Sequence, residues 1–183
     1  SNGYLCHDEA KTHQLRQKLL GSEAKTLIGI SWKTASSVLS SNDRNITLSD
    51  LAQVLGSAET QLVCLQYGEV SDEINLLEKQ FGITVMRVTE IDNRNDIDGL
   101  ASLIMACDKI VSTTNATIHL AGALGADVKV LLPFSTRWFW GRHQSRNLWY
   151  NSVTSYRQNV AGDWNNVLEL LSKDMEITPF EKN

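Results

Sequence analysis

The stretch "KIVSTTNATIHLAGALGADVKVLLP", Lys109 to Pro133, decides how this chain folds. Its outer parts, "KIVST" (Lys109–Thr113) and "VKVLLP" (Val128–Pro133), are continuous apolar runs of the kind that parallel strands buried on both faces require. Between them, Ala116–Leu124 has helical length and apolar content, and Gly125 stands where a helix-stopping glycine belongs. A strand, a helix and a second strand this close together make a βαβ unit. The polar link Thr113-Thr114-Asn115 reads as a helix N-cap. It reads equally as a loop of small residues that lets an anion approach a helix N-terminus.

Working outward, "TLIGISW" (Thr26–Trp32), "QLVCLQ" (Gln61–Gln66) and "ITVMRV" (Ile83–Val88) are three earlier strands, and "SVTSYR" (Ser152–Arg157) is a more polar edge strand. Helical periodicity fills the gaps. Leu48, Leu51, Ala52 and Leu55 form one stripe, Ile74, Leu77 and Phe81 a second, and Ile97, Leu100, Ala101, Ile104 and Met105 a third behind the N-cap Asp96. A last helix starts at the N-cap Asp163 and carries Val167, Leu168, Leu170 and Leu171, and a more polar helix, His7–Leu20, precedes everything. Alternating strands and helices predict an α/β fold: a Rossmann-like three-layer sandwich with an open, mainly parallel sheet of about six strands. The expected organisation is a leading helix over residues 1–24, one domain over 25–175 and a short tail over 176–183. Ser1-Asn2 has the look of a cloning scar, so the chain is expected to be cut from something larger.

A hydrophobic share of 42% and a charged share of 21% fit a globular domain, and a net charge of −4 without any Lys/Arg run argues against nucleic acid as a partner. No apolar run is long enough to span a bilayer. Cys6, Cys64 and Cys107 are odd in number and lack CxxC spacing, so a reducing, cytoplasmic setting is expected. There is no G-x-G-x-x-G after the first strand, no P-loop, no H-E-x-x-H among His7, His13, His119 and His143, and no G-x-S-x-G, which removes support for dehydrogenase, ATPase, zinc protease and serine hydrolase readings. "DNRND" (Asp92–Asp96) matches no EF-hand loop and reads as a solvated turn with a cap.

Ligands of open parallel sheets bind beyond the carboxyl ends of the strands, where strand order reverses. In the commonest order that point lies between the first and fourth strands, here Ser31-Trp32-Lys33-Thr34 and Thr113-Thr114-Asn115-Ala116-Thr117. A helix N-terminus suits a phosphate, His119 in its first turn is a donor, and Lys33 is a cation across the cleft. Each also has a plainer reading: an ordinary cap, a structural histidine, a solvated lysine. The loop "PFSTRWFWGRH" and the following "LWY" hold Trp138, Trp140 and Trp149. Trp138 and Trp140 form an aromatic wall for a ligand, or else these rings cover the open end of the sheet.

With "GISWK", "LVCLQYGE", "DIDGLASLIMACDKIVSTTNATIHLAGALGADVKVLLPF", "RWFWGR" and "LWYNSVTSYRQ…GDW" in that order, the chain resembles the C-terminal half of a GT-B glycosyltransferase from Lys25 to about Leu171. The likeness is to bacterial tetratricopeptide-repeat (TPR) proteins with a glycosyltransferase tail, related to heptosyltransferases and more distantly to O-GlcNAc transferases. It implies a nucleotide-sugar donor, a UDP-, ADP- or GDP-sugar, and an acceptor presented by an N-terminal domain or repeat region outside this chain. It places Trp32, Lys33, Gln66, Thr114, Asn115, Ala116, Thr117 and His119 against the donor, with His119 and Lys33 stabilising the leaving diphosphate. Asp96 and Asp98 border the ribose or base. The implied transfer needs no metal and no cofactor, and the base comes from the absent half. Two departures stand out: Thr114 occupies a position usually held by Asp in heptosyltransferase-like members, and "GRHQSRNLWY" lacks the acidic residue and proline of many relatives. The competing expectation is a catalytically degenerate Rossmann-like interaction module that uses the Trp138–Trp140 loop as its contact surface.

Overall fold

The computed structural model describes residues 3–34, 44–141 and 147–177. Ser1-Asn2, His143 and residues 178–183 of the expected tail lie outside the described residues. Six strands, β1 (Thr26–Ser31), β2 (Thr60–Cys64), β3 (Val85–Met86), β4 (Lys109–Thr113), β5 (Val128–Leu132) and β6 (Val153–Arg157), form one sheet in the order β3-β2-β1-β4-β5-β6. Every neighbouring pair is parallel. The doubly wound order, with its reversal between β1 and β4, is therefore present, and the sheet is wholly parallel.

Helices α1 (Glu9–Leu20), α4 (Ile97–Ala106) and α5 (Ala116–Leu124) cover one face, where Leu15, Leu19, Leu103, Ile104, Ile118 and Ala121 meet Leu27, Ile110 and Val130. Helices α2 (Leu48–Leu55), α3 (Ser71–Phe81) and α6 (Asn165–Met175) cover the other, where Leu51, Leu55, Ile74, Leu77, Val167 and Leu171 meet Ile28, Leu62 and Val111. Burial of both faces explains why β1, β4 and β5 read as unbroken apolar runs. Edge strand β6 is less covered, with Val153 buried on one face, Tyr156 on the other, and the residues between them only partly so.

Three local expectations shift. Phe81 and Ile97, placed on apolar stripes by periodicity, are 43% and 52% exposed, because each ends its helix beyond the reach of the sheet. The third strand has only two paired residues. The last helix begins at Asn165 rather than directly after Asp163, although the Asp163 carboxylate still accepts the Asn165 N–H at 2.9 Å.

The centre of β1 is thinned deliberately at Gly29. A Cβ there would stand 2.6 Å from Leu65 Cδ1 and 2.9 Å from Ile110 Cδ1. These neighbours are packed side chains without free space, so Gly29→Ala is expected to destabilise the fold by about 1–3 kcal/mol in urea unfolding, with an unchanged m-value.

Candidate ligand site at the strand-order reversal

The carboxyl ends of β1, β2 and β4 are joined by side chains as well as by the parallel ladder. Gln66, just past β2 and 3% exposed, accepts three hydrogen bonds at one oxygen: from Ser31 Oγ at 2.9 Å and from the backbone N–H groups of Trp32 and Lys33, both at 3.0 Å. Asn115, 7% exposed, donates to the same Ser31 hydroxyl at 2.7 Å while its Oδ1 faces the Ile118 N–H as the cap of α5. The start of α5 is thus tied to the end of β1 through Ser31, with a longer contact from the same amide to the Lys33 carbonyl at 3.5 Å.

In front of α5 lies a cavity of about 150 Å³. Its walls bring together Thr114, Asn115 and His119 from α5 and its approach, Thr34 from beyond β1, Arg44 from before α2, and Ser135, Thr136, Arg137, Phe139 and Trp140 from the loop after β5. Among the described residues, no carboxylate lines it. Among the described residues, neither Arg44 nor Arg137 has an ion-pair partner. Two arginines without an ion-pair partner among the described residues and the positive end of a helix therefore line one small volume. The loop that carries Arg137 is braced from behind by Arg157, which donates to Thr136 Oγ1 at 2.6 Å and to the Gly141 carbonyl. Gln158 Oε1 holds the Phe134 N–H at 3.0 Å.

His119 sits in a box of rings. Trp140 stacks on it at 5.3 Å and 29°, Phe139 meets it edge-on at 5.4 Å, and the Tyr150 hydroxyl lies 3.2 Å from Nδ1. Half-burial holds the imidazole below its ordinary pKa, so it is neutral at pH 7. Beyond His119 a wider cavity of about 450 Å³ opens between Trp138, Phe139, Trp149 and Tyr150.

Not every residue expected here arrives. Lys33 sends its ammonium to an ion pair with Glu73, and Trp32, 1% exposed, donates from its indole N–H to the same carboxylate at 2.7 Å. Both side chains run to the α2/α3 face, and neither lines the cavity in front of α5. Gln66 and Thr117 are buried, the first occupied by the β1 end, while Ala116 is exposed at the helix start. Trp140 forms a wall by stacking on His119; Trp138, 80% exposed, edges the outer cavity. Asp96 caps α4 at Gly99 N, 2.8 Å away, and pairs with Lys11; neither it nor Asp98 lines a cavity with Gln66. The cavity beside Gln66 is lined instead by Tyr67, Gly68, Arg87, Thr89 and Asn93 among others. Arg44, Arg137 and Tyr150 escaped the sequence reading; the only local sign was the cluster of basic and aromatic residues in "TRWFWGR". Among the described residues no group of three His, Cys, Asp or Glu side chains is placed to hold a metal ion, and no helix is long and apolar enough to cross a membrane.

Comparison with known proteins adds to this geometry. No family model matches the chain. Protein FlbA of Caulobacter vibrioides is 30% identical over 167 residues, which cover 89% of this chain but only 27% of FlbA. The chain therefore spans about a quarter of that relative. Among solved structures, the family 9 glycosyl transferase of Veillonella parvula superposes with a TM-score of 0.63 at 14% identity, over 94% of this chain and 52% of that one. The E. coli ADP-heptose lps heptosyltransferase II gives 0.62 at 16% identity, over 94% and 54%. The E. coli heptosyltransferase WaaC with ADP-2-deoxy-2-fluoro heptose gives 0.56 at 12% identity, over 96% and 50%. The fold of this chain is thus one found over about half the length of GT-B-like glycosyltransferases.

Because Gln66 accepts from three donors at once, Gln66→Leu leaves the Ser31 O–H and two N–H groups without an acceptor. The expected cost is about 2–4 kcal/mol of unfolding free energy by urea titration.

Proposed function

We propose that this chain is the donor-binding part of a GT-B-type glycosyltransferase and holds a nucleotide sugar by its diphosphate. The observation that carries the reading is the cavity, lined by no carboxylate among the described residues, in which the α5 N-terminus, His119, Arg44 and Arg137 converge at the strand-order reversal. A diphosphate matches that set of donors in charge and in number, and the small Thr114 and Ala116 leave the helix start open to it. The solved structures that share the fold include heptosyltransferase WaaC with ADP and with an ADP-heptose analogue, which supports a diphosphate ligand here.

The chemistry follows from the charges. When the bond from the anomeric carbon to the diphosphate breaks, negative charge builds on the leaving oxygen. The helix dipole, the two guanidiniums and an imidazole N–H stabilise that charge without rearranging. This route needs no metal. The acceptor and its base would come from another part of a longer protein, a TPR region included, so the chain alone is expected to bind donor without turning it over. Lys33, neutralised by Glu73, contributes its backbone rather than its charge.

A second reading draws on the exposed apolar rim, where Trp138, Leu148 and Trp149 are 80%, 77% and 60% exposed. On that reading the cleft is empty of function and the rim binds another protein.

Calorimetric titration and thermal shift with ADP, UDP and GDP separate the two. On the donor-binding reading, at least one of the three saturates the site and raises the melting temperature. His119→Ala and Arg137→Ala should each weaken it about tenfold or more, a loss of roughly 1.4 kcal/mol, whereas Lys33→Ala should change it less than about threefold. Absence of binding by all three nucleotides would leave the interaction module as the reading; a Lys33→Ala loss matching that of His119→Ala would return the lysine to the site.

A further inference from the structure

The donor reading uses His119 but does not explain what holds its ring. Nδ1 is engaged by the Tyr150 hydroxyl at 3.2 Å, and among the described residues Nε2 has no partner. Tyr150 is itself fixed from three sides. Asn147 Oδ1 accepts its backbone N–H at 3.1 Å, its ring stacks on Tyr4 at 6.3 Å and 19°, and its other neighbour is Gly122 on α5. A Cβ on Gly122 would stand 2.6 Å from Tyr150 Cγ and 2.9 Å from both Cδ atoms, nearer than packed atoms approach. Gly122 lies three residues after His119, on the same face of the helix. The missing side chain at 122 is what lets the phenol come down far enough to reach the imidazole.

We propose that Tyr150 is a positioning residue for His119: seated on Gly122, its hydroxyl donates to Nδ1 and keeps the single imidazole proton on Nε2, the nitrogen left to meet an anionic oxygen. The direction of the hydrogen bond follows from the partners. A phenol O–H is a stronger donor than an imidazole N–H, and an imidazole nitrogen accepts better than a phenol oxygen. Burial, and after it the Tyr4 hydroxyl, pushes the phenol up to about 12, and burial holds the imidazole below its ordinary range, so both are neutral at pH 7. The opposite tautomer would aim a lone pair at an anion. Among the described residues, the titratable groups around the ring are Tyr150 with Tyr4 behind it, and Arg44 and Arg137 across the cavity. Phe139 and Trp140 complete the enclosure without titrating.

The role has a signature that packing alone lacks. Neutral imidazole carries one proton, so its placement depends on Tyr150; imidazolium carries both and needs no such help. The ligand side of this inference rests on the diphosphate reading, whereas the tautomer does not.

The test uses the whole chain labelled with 15N-histidine, with His119 assigned by its loss in His119→Gln. Long-range 1H–15N spectra of the unmodified protein should show the Nε2–H form, and Tyr150→Phe should turn it into a mixture. Affinity for the tightest of ADP, UDP and GDP should fall roughly three- to tenfold in Tyr150→Phe above the His119 titration midpoint and converge on the unmodified value below it. Gly122→Ala should produce the same tautomer change by lifting the ring. An Nδ1–H form in the unmodified protein, an unchanged tautomer in Tyr150→Phe, or a loss of affinity equal at every pH would each overturn the assignment. If no nucleotide binds, the diphosphate reading falls, and the spectra alone decide the role of Tyr150.

Discussion

The hydrogen-bond chain Gln66–Ser31–Asn115 is the constraint on which the site depends. It joins the ends of β2, β1 and β4 below the surface, at the place where the connections of a doubly wound sheet diverge to opposite faces. Because Gln66 also takes the N–H groups of Trp32 and Lys33, the chain leaving β1 is turned so that both side chains go to the α2/α3 face. Because Asn115 serves Ser31 and the α5 cap together, the helix cannot shift without pulling on β1. The position of His119 is inherited from that cap.

The two ends of the sheet treat charge differently. At the amino ends of the strands, cations are neutralised in place: Arg16 by Asp108, Lys109 by Asp127, Lys129 by Asp127 and Asp174. Tyr156 adds its hydroxyl to Asp174 at 2.6 Å, and burial with that contact pushes the phenol far up. At the carboxyl ends, Arg44 and Arg137 line an open cavity that, among the described residues, holds no counter-charge. A net-acidic protein thus presents a locally cationic pocket, and the field there is set by a few groups rather than by the overall charge.

Much of the fold was legible because its signals are local. The bounds of β4 and α5 agree with the sequence reading to the residue, since Asn115 and Gly125 cap the helix through neighbours only a few positions away. Asp96 caps α4 for the same reason. Helix ends at Phe81 and Ile97 were misjudged because periodicity reports a face and says nothing of where the sheet stops. The pairing of Lys33 with Glu73 was invisible: both are ordinary surface residues in the sequence, and only the juxtaposition of β1 with α3 makes them partners. Gly122 in "HLAGALG" reads as a helix-weakening residue until the Tyr150 ring is seen lying on it.

By itself the sequence determined the layering of the protein, the parallel sheet and the helix start that faces its open end. Those follow from the period of apolar residues and from caps that act within one turn. Only the tertiary structure decided which charges and rings share the cavity. Arg44, His119 and Arg137, with Tyr150 against the imidazole, come from four separate parts of the chain, and no local pattern records that they meet. Side chains that act together across a cleft are brought there by the packing of the whole sandwich, which is a property of the fold and not of any segment.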